Sequence, residues 1–280
     1  MNKGNTMKKL LLMALFTTLA FSQYNDGNTV VTWSKYKWEP IGENPDISWM
    51  DRDADVAAYQ LARHKVSRQL MSSMMLTHFW TGESEDVAIL GEFRNMKDAT
   101  DYAGFNNIND MAWRNADERA TALSNYNRHF QSYHEDVHIL ENWKALEKKN
   151  TAALTGEETI NNGNVVSVSI RYWKRMSQVE GGSSADRLAV MKKYADEVVK
   201  KNDKIVSQKV LTHLWSGSIE GGILPVFYIT EYTSLEDMAA AGNAALEDAA
   251  FGAENRGDYW KYFHNICLLY TSDAADEEDS

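Results

Sequence analysis

Cysteine is almost absent: one residue, Cys267, in a chain of 280. A single cysteine excludes a disulfide framework within the chain. Positive charge is also scarce. Forty acidic residues against 29 basic ones give a formal net charge of −11, with no basic cluster. The balance argues against nucleic acid and anionic membrane surfaces as partners. Beyond the N-terminal region no apolar run is long enough to span a bilayer. The glycine signatures of nucleotide binding, G-x-G-x-x-G and the P-loop, are missing, as is the G-x-S-x-G elbow of hydrolases. What remains is ordinary for a folded chain: 44% hydrophobic, 25% charged and 11% aromatic residues.

The two ends read as additions to the fold. Lys8 and Lys9 precede an apolar run from Leu10 to Phe21, and Ala20 and Ser22 supply the small residues of a cleavage site. This order of charge, apolar run and small residues is that of a secretory signal over residues 1–22, so the chain is expected to be exported, to the periplasm or outside the cell. At the other end, residues 267–280, beginning Cys267-Leu268-Leu269-Tyr270-Thr271-Ser272, resemble a translated sequencing adaptor. On that reading the only cysteine belongs to an added tail.

Between these ends the sequence repeats itself. Val30-Val31-Thr32-Trp33-Ser34 through Trp38 matches Val165-Val166-Ser167-Val168-Ser169 through Trp173, at an offset of 135. Leu76-Thr77-His78-Phe79-Trp80-Thr81-Gly82 matches Leu211-Thr212-His213-Leu214-Trp215-Ser216-Gly217 at the same offset, as does Asp51-Arg52 against Asp186-Arg187. Each copy alternates between β-branched or aromatic strands and helical spacing. In the first, strands are expected over 29–38, 74–81, 87–94 and 137–143. Helices are expected over 51–72 and, in broken form, from Asn95 to about Phe130. The second copy repeats the order from Val165 to about Phe263. Its fourth strand should begin near residue 267, where the adaptor-like string begins, so that strand is expected to be missing.

The order β-α-β-β-α-β is the split ferredoxin-like unit, with helices on one sheet face and the other face needing cover. The expected fold class is α+β: two tandem ferredoxin-like repeats, residues 23–150 and 151–266, packed open face to open face as a barrel. The paired T-H-x-W-[ST]-G strands and the [SN]-x-x-D helix starts resemble those of the dimeric α+β-barrel superfamily, which includes antibiotic-biosynthesis-monooxygenase-like and NIPSNAP-type domains. The resemblance implies a pseudo-dimer within one polypeptide, and leaves further association of chains open. It says little about activity, because the superfamily includes oxygenases, isomerases and haem-active enzymes.

The candidate site residues come from the repeated strands. His78 and Trp80 share a strand face, as do His213 and Trp215. Glu92 and Glu231 lie on the next strand of each hairpin and are candidate carboxylate partners. An imidazole, a carboxylate and an indole around an apolar cavity suit acid–base work on an aromatic or enolisable molecule. The same residues also suit a structural role, filling the interface between two half-barrels. Trp38, Arg171 and Trp173 alternate along the first strands and are candidate ligand-binding residues; Arg171 stands where the first copy has Tyr36.

His134-Glu135-Asp136-Val137-His138 matches H-E-x-x-H. That zinc-protease motif works on a helix, where residues four apart converge. The repeat puts it at the start of a strand, where the two histidines would lie roughly 13 Å apart and could not share an ion. No metal or other cofactor is therefore called for, and no stretch matches a haem-ligand motif. Two function classes follow: an exported barrel binding a small, apolar or aromatic molecule, with a cofactor-independent oxygenase or isomerase as its catalytic form, and a non-catalytic binding or structural module. Zinc proteolysis through His134, Glu135 and His138 is the remote third.

Overall fold

The computed structural model describes residues 27–41, 48–81, 86–103, 106–149, 164–216 and 224–273. The segments 1–26 and 274–280, and with them the signal-peptide reading and the last part of the tail reading, lie outside the described residues. In chain order the elements are β1 (Thr29–Trp38), α1 (Trp49–Val66), β2 (Leu70–Thr81), β3 (Asp86–Phe93), α2 (Met96–Ala103), α3 (Asn106–Ala112), α4 (Ala116–Asn127) and β4 (Phe130–Asn142). Then follow β5 (Val165–Trp173), α5 (Ser184–Tyr194) with a π-helical extension (Ala195–Val199), β6 (Ile205–Ser216), β7 (Pro225–Tyr232), α6 (Leu235–Ala240), α7 (Ala244–Phe251), α8 (Gly257–Trp260) and β8 (Phe263–Asp273).

Local chemistry sets the helix starts. Ser48 caps α1 in a reciprocal capping box with Asp51. Asn95 accepts from the Asp98 amide at 2.9 Å, Asn115 caps α4, Ser183 caps α5, and Ser234 caps α6. The broken helical stretch expected after Asn95 resolves into α2, α3 and α4.

All strands join one closed antiparallel barrel in the order β1-β3-β2-β8-β5-β7-β6-β4. Closure removes every sheet edge. The strands of each half are contiguous, and the halves meet at two seams, β4 with β6 and β2 with β8.

Side chains alternate across the barrel wall. Val31, Leu76, Leu90, Leu140, Val166, Val168, Leu211, Phe227 and Ile229 form one buried cluster in the interior. The intervening residues face the helices. Trp38 and Val87 pack with Val56 of α1 in the first half. In the second half Trp173, Val210, Val226 and Tyr228 pack with Met191, Tyr194 and Tyr259.

The same three-residue sandwich occurs once in each half. Trp38 stacks on Phe130 at 4.7 Å with the Arg52 guanidinium 4.5 Å from its ring centroid. Trp173 stacks on Phe263 at 4.7 Å with Arg187 at 4.2 Å. These contacts also correct two expectations. β4 begins at Phe130, well before residue 137, because Phe130 is anchored on Trp38. β8, expected to be missing, is present: it starts at Phe263, anchored on Trp173, and pairs with β5 from Trp173↔Phe263 to Val165↔Asp273. Ladder hydrogen bonds are made by backbone groups, so a segment of almost any composition can complete a strand that its neighbours have templated.

Candidate functional site: two ends of the barrel lumen

The end of the barrel at which β1 and β2 begin is ionic. Glu92 is 5% exposed and faces inward, two residues beyond Leu90. Its carboxylate accepts from Lys144 Nζ at 2.5 Å, Lys209 Nζ at 2.6 Å, Ser72 Oγ at 2.9 Å, Asn142 Nδ2 at 3.2 Å and the Thr29 hydroxyl. Glu147 completes the group, 3.0 Å from Lys144 and 3.2 Å from Lys209. Burial alone would raise the Glu92 carboxyl pKa. The lysines, with Thr29, outweigh burial and hold it well below the usual carboxylate range. Burial would lower the Lys209 pKa, and Glu92 and Glu147 reverse that and raise it. Lys209 belongs to β6 and Glu92 to β3, so this buried charge pair ties one half of the barrel to the other. The corresponding carboxylate, Glu231, accepts from Asn164 Nδ2 at 2.5 Å and Ser207 Oγ at 2.6 Å. Met74 stands 135 residues before Lys209, so that position carries no lysine in the first half.

The histidines lie toward the other end. His78 continues the inward register of Met74 and Leu76, and His213 that of Leu211. Ser72 stands opposite Glu92, so His78, six residues further along β2, is roughly 20 Å away along the strand. Ser207 stands opposite Glu231, and His213 is again six residues on. The structure therefore brings neither His78 to Glu92 nor His213 to Glu231. From Glu92 the ladder leads through Val31 and Leu140 to His213, three strands around the wall and roughly 14 Å off. That too is beyond hydrogen-bond reach.

Aromatic rings meet across the lumen at the level of the histidines. Trp33 pairs with His138 across β1 and β4. The Phe227 ring, from β7, lies 5.1 Å from Trp33 and 4.9 Å from His138. His78 and His213 are partly buried, and Trp215 is 74% exposed. His78 Nδ1 is buried without a hydrogen-bond partner among the described residues. The side chain of Trp80 lies outside the described residues.

Trp38, Arg171 and Trp173 are on the other side of the wall. Arg171 lies over the Trp260 ring at 4.2 Å, and the two indoles take part in the helix-covered sandwiches. They do not share the lumen with the histidines. His134 and His138 are both on β4, opposite Tyr36 and Trp33, so the helix the zinc motif needs is not there. Among the described residues no group of three or more His, Cys, Asp or Glu side chains is placed to hold a metal, and no helix is long and apolar enough to cross a membrane.

Sequence reasoning missed Lys144, Glu147, Lys209 and Phe227. A signal existed for one of them: Lys209 alternates with Leu211 and His213, which puts a lysine on the inward face of a strand and demands a buried counter-charge.

No family model matches the sequence, and neither does any curated protein. By structure the chain is similar to a "putative monooxygenase" from Fusobacterium nucleatum, with a TM-score of 0.51 and 6% identity over 89% of this chain and 92% of that one. An anthrone oxidase-like protein, 10% identical, gives 0.48 over 89% and 92%. A chlorite dismutase from Candidatus Nitrospira defluvii, 13% identical, gives 0.44 over 89% and 92%. At such identities the first of these likenesses is one of fold alone, that of a closed α+β barrel.

Proposed function

We propose that the chain is a small-molecule-binding barrel whose site is the histidine-lined mouth of the lumen, and that its ligand is a small apolar or aromatic molecule carrying one hydrogen-bonding group. The observation that carries this reading is His78: a ring nitrogen buried at the mouth with no partner in the described protein, above a lumen of apolar and aromatic side chains. A buried polar atom of this kind calls for a partner. Trp33 and Phe227 supply an aromatic floor.

The catalytic form of the proposal is a cofactor-independent oxygenase or isomerase. There the imidazoles of His78 and His213 would take and return a proton without a carboxylate partner, since Glu92 and Glu231 are engaged at the far end. The structural alternative rests on a different observation, the buried apolar cluster inside the barrel to which Phe227 and Trp33 themselves belong. The proposal also includes a tandem origin, supported by the matched Trp-Phe-Arg sandwiches, and export, supported by the N-terminal sequence alone.

Titration with 1-naphthol, read by tryptophan fluorescence, separates the two functional readings. His78→Ala and His213→Ala are each expected to weaken binding about tenfold, equivalent to about 1.4 kcal/mol, at a stability cost under about 1 kcal/mol by urea denaturation. Unfolding of both variants, or unchanged affinity in both, would sink the binding site and favour the structural role.

A further inference from the structure

A second place on the molecule has the chemistry of a binding site, on the outer helical layer and independent of the lumen. α1 and α4 flank a groove of about 600 Å³. Asp55 and Tyr59 line it one turn apart on α1, and Glu118 and Ala122 one turn apart on α4, with Trp113 and Asp117 beside them. α4 buries none of its 12 residues, so it rests on α1 without closing the space between them.

The floor is aromatic. Tyr59 is buried and stacks on Trp113 at 5.1 Å and 19°, and on Tyr126 at 4.2 Å and 22°. Trp113 is half-buried and lines the groove. A cation already uses this ring system: the Arg63 guanidinium lies 5.3 Å from the Tyr59 centroid. The walls are acidic. Asp55 is held by Arg128 at 2.6 Å and His129 at 3.0 Å. Asp117 and Glu118 are exposed and form no ion pair among the described residues; the neighbouring Arg119 is engaged by Asp110. Their place in the first turn of α4 stabilises that helix with or without a ligand, so the groove must be judged on binding.

We propose that this groove binds a small organic monocation of the methylated alkylammonium type. Such an ion is weakly hydrated, gains from an indole face, and is drawn by exposed carboxylates. A metal ion would gain nothing from the aromatic floor, and a neutral apolar molecule nothing from the charges. The volume is within the range of small-ligand sites.

Choline and its neutral isostere 3,3-dimethylbutan-1-ol make the test, with the full chain and tryptophan fluorescence or ligand-observed NMR as readout. Choline is expected to bind saturably in the millimolar range, more weakly as salt is raised, while the isostere does not bind. The double variant Asp117→Asn/Glu118→Gln, at exposed positions, should weaken choline at least fivefold and leave 1-naphthol binding unchanged. Trp113→Leu should do the same, and if it fails to fold the charge variant still decides. Equal binding by the isostere, no saturation by choline, or full affinity in the charge variant would overturn the proposal.

Discussion

Replacing Phe227 by alanine is expected to cost about 4 kcal/mol of stability, the largest single effect anticipated in this molecule. Phe227 is 1% exposed, and its ring packs across the lumen against both Trp33 and His138. Truncation removes the transfer energy of the ring and leaves a cavity that a closed barrel cannot collapse to fill. A change of about 4 kcal/mol should lower Tm by roughly 10 °C in a chain of this size. Because the cavity opens beneath the mouth, 1-naphthol should recover part of the loss by binding the native state. Chemical denaturation with and without the probe checks both. A loss below about 1 kcal/mol would mean that the lumen is not packed on Phe227.

The second large effect concerns the ionic end. Glu92→Ala removes the acceptor shared by Lys144 and Lys209 and leaves their charges beside Glu147 alone. Breaking a buried pair from one side costs about 3 kcal/mol, since the remaining charge stays desolvated. Adding Lys209→Met, which installs the residue type of Met74, should return part of that loss, because an apolar pair is cheaper to bury than an orphaned charge.

The pH dependence follows from the same groups. The folded pKa of Glu92 lies below its unfolded value, so its contribution is complete above the ordinary carboxylate range, about 4.3, and is lost as pH falls from there through the depressed value. That of Lys209 is raised, so its contribution is complete below about 10.4 and is lost as pH rises through the raised value. Between these limits the clamp should be insensitive to pH. Glu92→Ala should flatten the acid limb of the stability profile, and an unchanged acid limb would contradict the assignment.

Hydrophobic alternation and cap residues made the element order legible, because they are local signals. Asn95 and Ser234 act as they read in the sequence. The pairing of His78 with Glu92 was not legible. Alternation says that both face inward, but which end each occupies depends on hairpin register, and register puts Ser72, not His78, opposite Glu92. Trp38, Arg171 and Trp173 illustrate the complementary error: period-two spacing groups residues on one face without saying which face is the lumen. Lys209 meets Glu92 across 117 positions of sequence, a contact that no local pattern encodes. β8 escaped because its pairing is made by backbone groups that composition does not reveal.

The central claim is that ligand binds at the histidine end of the lumen. Two-dimensional NMR of the imidazole resonances during titration with 1-naphthol tests it most directly. The chain has seven histidines, of which His129 is fully buried on the outer layer and hydrogen-bonded to Asp55. The account predicts saturable shifts of the His78 and His213 signals with one common Kd, while His64 and His129 stay in place. Binding that leaves His78 and His213 unmoved would contradict it.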